Sequence, residues 1–233
     1  MIKHLLWVAL ILSGQVFGVE VKNETELGVK VQGGNTETES YTAKTKTDLE
    51  AEANKYTIGG HYTYGTSREV IDTRNWSGYL KYGHKLSEKF SLLAGYLIEG
   101  DKFKGIEDRS NYDLGLGYEI MKTETFTWIS EAGYRYTVQN NTNNTDEKDS
   151  KGRLYTKADK KLREGMDGSL WAEYLYNFSQ TDRYILIFEP SLSFVLTEKL
   201  FLKLSYKGTY ENQPQVGFKK YDFEYITSLM AKF

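Results

Sequence analysis

The sequence predicts an all-β fold: a single transmembrane antiparallel β-barrel of about 12 strands, with N and C termini on the same side of the membrane. Three observations predict it. Apolar and polar residues alternate almost without interruption from Val21 to Phe233, the connections alternate between short and longer, and the apolar stripes carry almost no charge. A period of two is the strand period, because successive side chains leave a strand on opposite faces.

The first 18 of the 233 residues read as an address. Lys3 gives a positive start, Leu5 to Leu12 an apolar run, and Val16-Phe17-Gly18 a small-residue end. This pattern predicts a secretory signal peptide over 1–18 and a barrel domain over 19–233. The apolar run is too short to span a bilayer, and no later stretch is apolar for the ~20 residues a membrane helix needs.

The strands follow in order. Leu27, Val29 and Val31 alternate with Glu26, Lys30 and Gln32. Tyr41, Ala43 and Leu49 oppose Lys44, Lys46, Asp48 and Glu50. Ile58, Tyr62 and Tyr64 make the third stripe, Trp76, Leu80 and Tyr82 the fourth, and Phe90, Leu92, Tyr96 and Ile98 the fifth. Tyr112, Leu114, Leu116, Tyr118 and Ile120 make the sixth; Phe126, Trp128, Ala132, Tyr134 and Tyr136 make the seventh. The eighth, near 152–163, has the weakest pattern, with Leu154, Ala158 and Leu162. Leu170, Tyr174 and Phe178 lead the ninth, Leu186, Phe188 and Phe194 the tenth, and Leu200, Leu204 and Tyr210 the eleventh. Phe223, Tyr225, Leu229 and Phe233 close the chain. The count is about 12, with 10 or 14 as the neighbouring even solutions.

Alternation alone does not say which face is apolar. A soluble barrel points its apolar side inward, a membrane barrel outward. The connections near 54, 87–88, 121–124, 164–167 and 197–199 are short. Those at 66–73, 100–106, 139–151 and 211–217 read as longer loops, with 33–37 and 179–182 short on that side. Short periplasmic turns facing longer outer loops are the pattern of outer-membrane barrels. Aromatics gather toward strand ends: Tyr64, Trp76, Tyr136, Tyr184 and Tyr210 at one, Phe90, Tyr118, Phe126, Trp128 and Phe194 at the other. Two such belts suit two membrane–water boundaries. A charge facing lipid costs roughly 2–4 kcal/mol at the midplane, which explains the uncharged stripes. An even strand count then places both termini in the periplasm. Phe233, ending a period-two strand, has the form of a C-terminal signal for barrel-assembly machinery.

Composition narrows the function classes. A net charge of −2 indicates no nucleic-acid partner, and the absence of Cys excludes disulfides, thiol nucleophiles and thiolate metal sites. Aromatics reach 15%, led by 19 Tyr, which suits packed surfaces and membrane boundaries.

Four stretches carry a resemblance. They are Gly33-Gly34-Asn35-Thr36-Glu37-Thr38; the run from Glu99 through Gly100-Asp101-Lys102-Phe103-Lys104-Gly105 to Ile106, then Arg109; Gly115-Leu116-Gly117-Tyr118; and Asp222 ahead of Leu229 and Phe233. On these the chain resembles the outer-membrane family that includes the salt-induced outer-membrane protein, over nearly all of the mature chain but not 139–150. The resemblance implies a barrel in the outer membrane of a Gram-negative cell. It implies no reaction and transfers no catalytic residue.

The residues themselves predict no catalysis. Beyond the signal only His61 and His84 remain, one on the polar face of its strand and one beside a short turn, so neither sits where an interfacial lipid hydrolase needs its base. No catalytic residue, cofactor or metal site is expected; 145–150 is acidic but lacks the glycine and terminal glutamate of a calcium loop.

The informative face is the lumen. Parity puts Lys44, Lys46, Asp48, Arg109, Asp113 and Glu131 on it, together with Arg135, Lys157, Asp159, Glu173, Lys203 and Asp222 as candidate pore-lining residues. Lys30, Lys81, Lys207, Glu99, Glu189 and Glu224 share the face. Two functions fit. The charges line a small non-enzymatic pore for ions or small polar solutes, or they pair across a closed structural or adhesion barrel that works through its outer loops. The absence of a long insertion to plug the lumen, and its many glycines (Gly28, Gly59, Gly83, Gly95, Gly115, Gly117, Gly133), favour the pore. The partners expected are outer-membrane lipid, the assembly machinery and small polar solutes.

Overall fold

The structure is a computed structural model that describes residues 18–33, 38–67, 70–214 and 217–233. The proposed signal peptide, apart from Gly18, and the core of the Gly33–Thr38 motif lie outside the described residues. Twelve strands form: β1 (Glu20–Gly33), β2 (Thr38–Ala51), β3 (Asn54–Ser67), β4 (Val70–Lys85), β5 (Phe90–Asp101), β6 (Ile106–Lys122), β7 (Phe126–Asn141), β8 (Asp146–Arg163), β9 (Met166–Asn177), β10 (Tyr184–Val195), β11 (Leu200–Glu211) and β12 (Tyr221–Lys232). A strand of 12 residues is about 40 Å long, enough to cross a ~25 Å apolar band when tilted by about 45°.

Every strand pairs antiparallel with the next, and β12 returns to β1 in the register Glu24↔Lys232 through Gly33↔Phe223. Closure leaves no strand edge with unpaired amides. Because the number of strands is even, the two chain ends meet at one rim, where Asn23 and Phe233 exchange two backbone hydrogen bonds of 2.9 Å.

Side-chain exposure is inverted relative to a soluble protein. Leu27 and Leu114 are 63% and 60% exposed on the outside, while Lys30 and Arg135 are 3% and 7% exposed inside. The apolar stripes form the outer surface and the charged stripes form the core. Ring pairs such as Phe90–Tyr118 (4.8 Å) near one rim and Tyr184–Tyr210 (6.0 Å) near the other stand where aromatic belts were expected.

The connections differ from expectation at the long-loop rim. The segment 139–151 is not a long loop: β7 runs to Asn141 and β8 starts at Asp146, paired as Gln139↔Glu147 and Asn140↔Asp146. The stretch has no hydrophobic period, but its polar side chains satisfy one another. Asn140 donates to both Asp108 oxygens at 3.0 Å, Asn141 donates to Glu147 at 3.1 Å, and Gln139 donates to Asn141 at 2.6 Å. Likewise β3 and β4 extend through most of 66–73. The barrel is therefore uneven mainly because β6, β7 and β8 overshoot.

The second difference is at 100–106. Residues Lys102–Lys104 form a single 3-10 turn, capped by Asp101, whose carboxylate accepts from the Lys104 amide at 3.2 Å, and ended by Gly105 at φ 75°. Glycine takes this left-handed conformation without a Cβ penalty. From here Lys104 reaches Asp222 on β12 at 3.1 Å, far around the ring from β5 and β6. The sequence reading found no insertion able to enter the lumen; this short turn does so because one long lysine suffices. A third difference is a bulge between Glu119 and Met121, which takes Ile120 out of register and sets Met121 opposite Trp128.

Candidate functional site

The inward side chains enclose a central cavity of about 1010 Å³. A smaller space of about 310 Å³ lies against Asp113, Arg135 and Glu173. Each candidate pore-lining residue keeps the face that parity assigns it. Lys44, Lys46, Asp48, Arg109, Glu131, Lys157, Asp159 and Lys203 line the larger cavity, Asp113, Arg135 and Glu173 the smaller, and Asp222 stands at the rim under Lys104.

One wall, from β4 to β9, is a closed ion network. Arg135 holds Asp113 by two hydrogen bonds of 2.7 Å and reaches Glu173 at 3.3 Å. Arg153 donates to Glu173 at 2.5 Å and to Glu131 at 2.8 Å, and Lys81 completes the set on Glu131. Three cations meet three carboxylates, and the arginine forks match carboxylate geometry. Tyr155 lies beneath, its ring 5.1 Å from the Arg153 guanidinium carbon and stacked 6.1 Å from Trp171. Cations over an aromatic face gain further attraction.

Smaller pairs neutralise other members. Asp48 meets Lys46 at 2.9 Å and accepts from Thr57 at 2.6 Å; Lys157 meets Asp159 at 2.9 Å; Lys203 meets Glu26 at 2.7 Å; Arg109 bonds Gln139 at 2.6 Å and Glu99 at 3.3 Å.

The opposite wall, from β11 through β12 and β1 to β3, holds the close pairs Lys203–Glu26, Lys46–Asp48 and Lys55–Glu50 but is less tightly paired around Glu224. Lys30 approaches Glu224 only to 3.4 Å. Among the described residues, Lys44 and Lys207 have no carboxylate within 4.0 Å. His61 sits between Ser77 (2.6 Å) and Asn75 (3.1 Å). His84 stands near the opposite rim, 2.9 Å from Asn54. The two imidazoles are thus on different faces and do not form one site.

Sequence reasoning missed Arg153, Tyr155, Trp171, Tyr79, Leu93 and Lys104. The first two lie at the same parity as Lys157 and Asp159, so carrying that alternation two and then four residues back from Lys157 along β8 finds Tyr155 and Arg153. Trp171, Tyr79 and Leu93 are apolar side chains on the polar face, which parity finds only where the strand's facing is already known. They also change the expectation that lumenal glycines leave room. A Cβ on Gly59 would strike the Tyr79 ring, and one on Gly117 would meet Leu93 at 3.2 Å, so large neighbours fill the space. Lys104 has no sequence signal.

Over residues 25–233 the sequence matches the family described as "Protein of unknown function, DUF481". The chain belongs to that family. Among curated proteins none matches. Solved structures do, as folds. A NanC porin is 11% identical with TM-score 0.62, the match covering 90% of this chain and 100% of that one. A KdgM porin in complex with disordered oligogalacturonate is 12% identical with TM-score 0.54, covering 90% and 99%. The COG4313 outer membrane channel from Pseudomonas putida F1 is 10% identical with TM-score 0.56, covering 97% and 99%. This DUF481 chain therefore has the fold of a porin-like barrel, and its family and fold agree with the resemblance to an uncharacterised outer-membrane barrel family.

Proposed function

We propose that the chain is a small, non-enzymatic pore for ions or small polar solutes in the bacterial outer membrane. The observation that carries this reading is the charged cavity of about 1010 Å³, lined from the short-turn rim at Glu52 and Glu88 to Lys104 and Arg109 near the other. Charged side chains around a narrow passage set ion preference. The likeness of the fold to porins and to an outer membrane channel supports it. In this reading 1–18 directs export, both termini lie in the periplasm, the outer stripes meet lipid, and Phe233 engages the assembly machinery. In the same reading the chain is a relative of the salt-induced outer-membrane protein.

A second reading has its own support. The Lys104–Asp222 crossing and the deep burial of Thr63, Thr137 and Asn177 near that rim favour a closed structural or adhesion barrel acting through its outer loops. Single-channel recording of the refolded protein in a planar bilayer separates the two. Discrete conductance steps are expected for the pore. A silent bilayer from protein that still shows a heat-modifiable folded band would leave the closed barrel. Cysteine labelling tests the wall itself: a lipid-side probe should reach Leu116→Cys, and a water-soluble one Gly117→Cys.

A further inference from the structure

Between the two walls, where β9 meets β10, the lumen carries a strip of polar side chains that the rest of the protein leaves open. Trp171 and Ser169 of β9 stand across the ladder from Glu189 and Ser191 of β10. Ser193 follows two positions along β10, on the same face. All five line the central cavity. Among the described residues, neither the three hydroxyls, nor the Trp171 indole N–H, nor the Glu189 carboxylate takes part in a hydrogen bond.

Glu189 carries the most weight. It is only 8% exposed, yet among the described residues no cation lies within 4.0 Å of it. Lys203 and Lys207 act on it from farther away, and Lys203 is already held by Glu26 at 2.7 Å. Lys157, the other ladder neighbour of Trp171, is held by Asp159 at 2.9 Å. A carboxylate is acceptor-only and has about four lone-pair positions to fill, so leaving it buried without donors is costly.

Trp171 supplies a flat apolar face beside these groups. Tyr155 stacks against it at 6.1 Å and is itself covered by Arg153 at 5.1 Å, which holds the ring in place. The face of an aromatic ring is electron-rich and attracts positively polarised C–H groups. Next to it, polar groups repeat at about 4.8 Å across the ladder and ~6.8 Å along a strand. That is the scale on which a sugar ring displays its hydroxyls. A pyranose can lay its C–H face on Trp171, while its hydroxyls, each both donor and acceptor, fill the open positions. Glu189 sets the charge class. It accepts from the hydroxyls of a neutral sugar, whereas a sugar acid would set carboxylate against carboxylate.

We propose that Trp171, Glu189, Ser169, Ser191 and Ser193 form a binding site for a neutral pyranose sugar. The site deepens the pore reading by naming the class of polar solute. It rests on that reading for its route into the lumen, but binding itself needs no conductance.

The test uses the full refolded chain in an amine-oxide detergent, because sugar-headed detergents would compete. D-Glucose, D-galactose, maltose and lactose are titrated by calorimetry, with glucuronate as the charged control. Saturable heat is expected from at least one neutral sugar, with weaker binding or none from glucuronate. Glu189→Gln should weaken binding by roughly tenfold, the loss of one charge-assisted hydrogen bond, and Trp171→Leu should abolish it. No saturable heat from any of the four sugars overturns the site, and so does glucuronate binding as tightly as the best of them. Variants that bind as wild type does overturn it too. If either variant lacks the heat-modifiable folded band, Ser169→Ala/Ser191→Ala takes its place and should weaken binding by at least about threefold; unchanged binding there overturns the site. Planar-bilayer recording separates the two readings. Sugar binding with a silent bilayer removes the pore and keeps the site, whereas conductance without sugar binding keeps the pore and removes the site.

Discussion

The two walls of the lumen both carry opposite charges, but one is built on arginine and the other on lysine alone, and they behave differently. On β4 to β9, Arg135, Arg153 and Lys81 are matched one for one by Asp113, Glu131 and Glu173, at distances down to 2.5 Å. On β11 to β3, Lys44 and Lys207 turn to the cavity, and Lys30 has one carboxylate at 3.4 Å. Register alone does not decide the difference, since Asp113 faces Arg135 but Glu26 also faces Lys44 and Glu224 faces Lys207. What differs is that on the matched wall two arginine forks each bridge two carboxylates. In the proposed pore, the matched wall is scaffold and the less matched one faces the solute.

The largest test breaks the matched wall. Arg135→Met leaves Asp113 short of its forked partner and Glu173 short of one of two, in a buried setting, and should destabilise the barrel by about 3–5 kcal/mol. Chemical unfolding in detergent, followed by the heat-modifiable band, measures it. A loss under 1 kcal/mol would mean the network is wet and loose. The next sharpens the account of pairing. In a double-mutant cycle of Arg153→Met with Glu131→Leu, the coupling should be about 1–3 kcal/mol, because removing both partners spares the cost of an unpaired buried charge. Additive losses would show that the two do not act together.

Smaller effects belong to the other side. Asp222→Asn releases the Lys104 crossing, a part-exposed pair, and should cost only ~0.5–1 kcal/mol in the same unfolding assay. A larger loss would make the crossing part of the scaffold. Lys44→Gln should change stability by less than about 0.5 kcal/mol, as expected for a side chain that breaks no buried pair. A fall as large as that of Arg135→Met would erase the distinction between the walls.

The facing of almost every strand was legible in the sequence, because a period of two assigns each side chain to one face once a single residue is placed. Lys44, Asp113, Glu131, Arg135 and Glu173 all point inward as parity requires. Where the period fades, legibility fades with it. The polar hairpin of β7 and β8 looked like a loop because Asn140 and Asn141 find amide and carboxylate partners rather than apolar ones. Ile120 left its stripe through a bulge that no pattern announces. Arg153 was within reach of the same parity but sits on the strand with the weakest stripe. Lys104 was out of reach, because its position depends on a left-handed Gly105 and a partner 118 residues away in sequence.

By itself, then, the amino-acid order determined that the chain is a barrel with an apolar outside and a charged inside, because alternation is local and each residue reports its own face. Only the tertiary structure decided which charges pair. Ion pairing depends on the register between strands and on closure of β12 onto β1, and those distances exist only once the ring is complete.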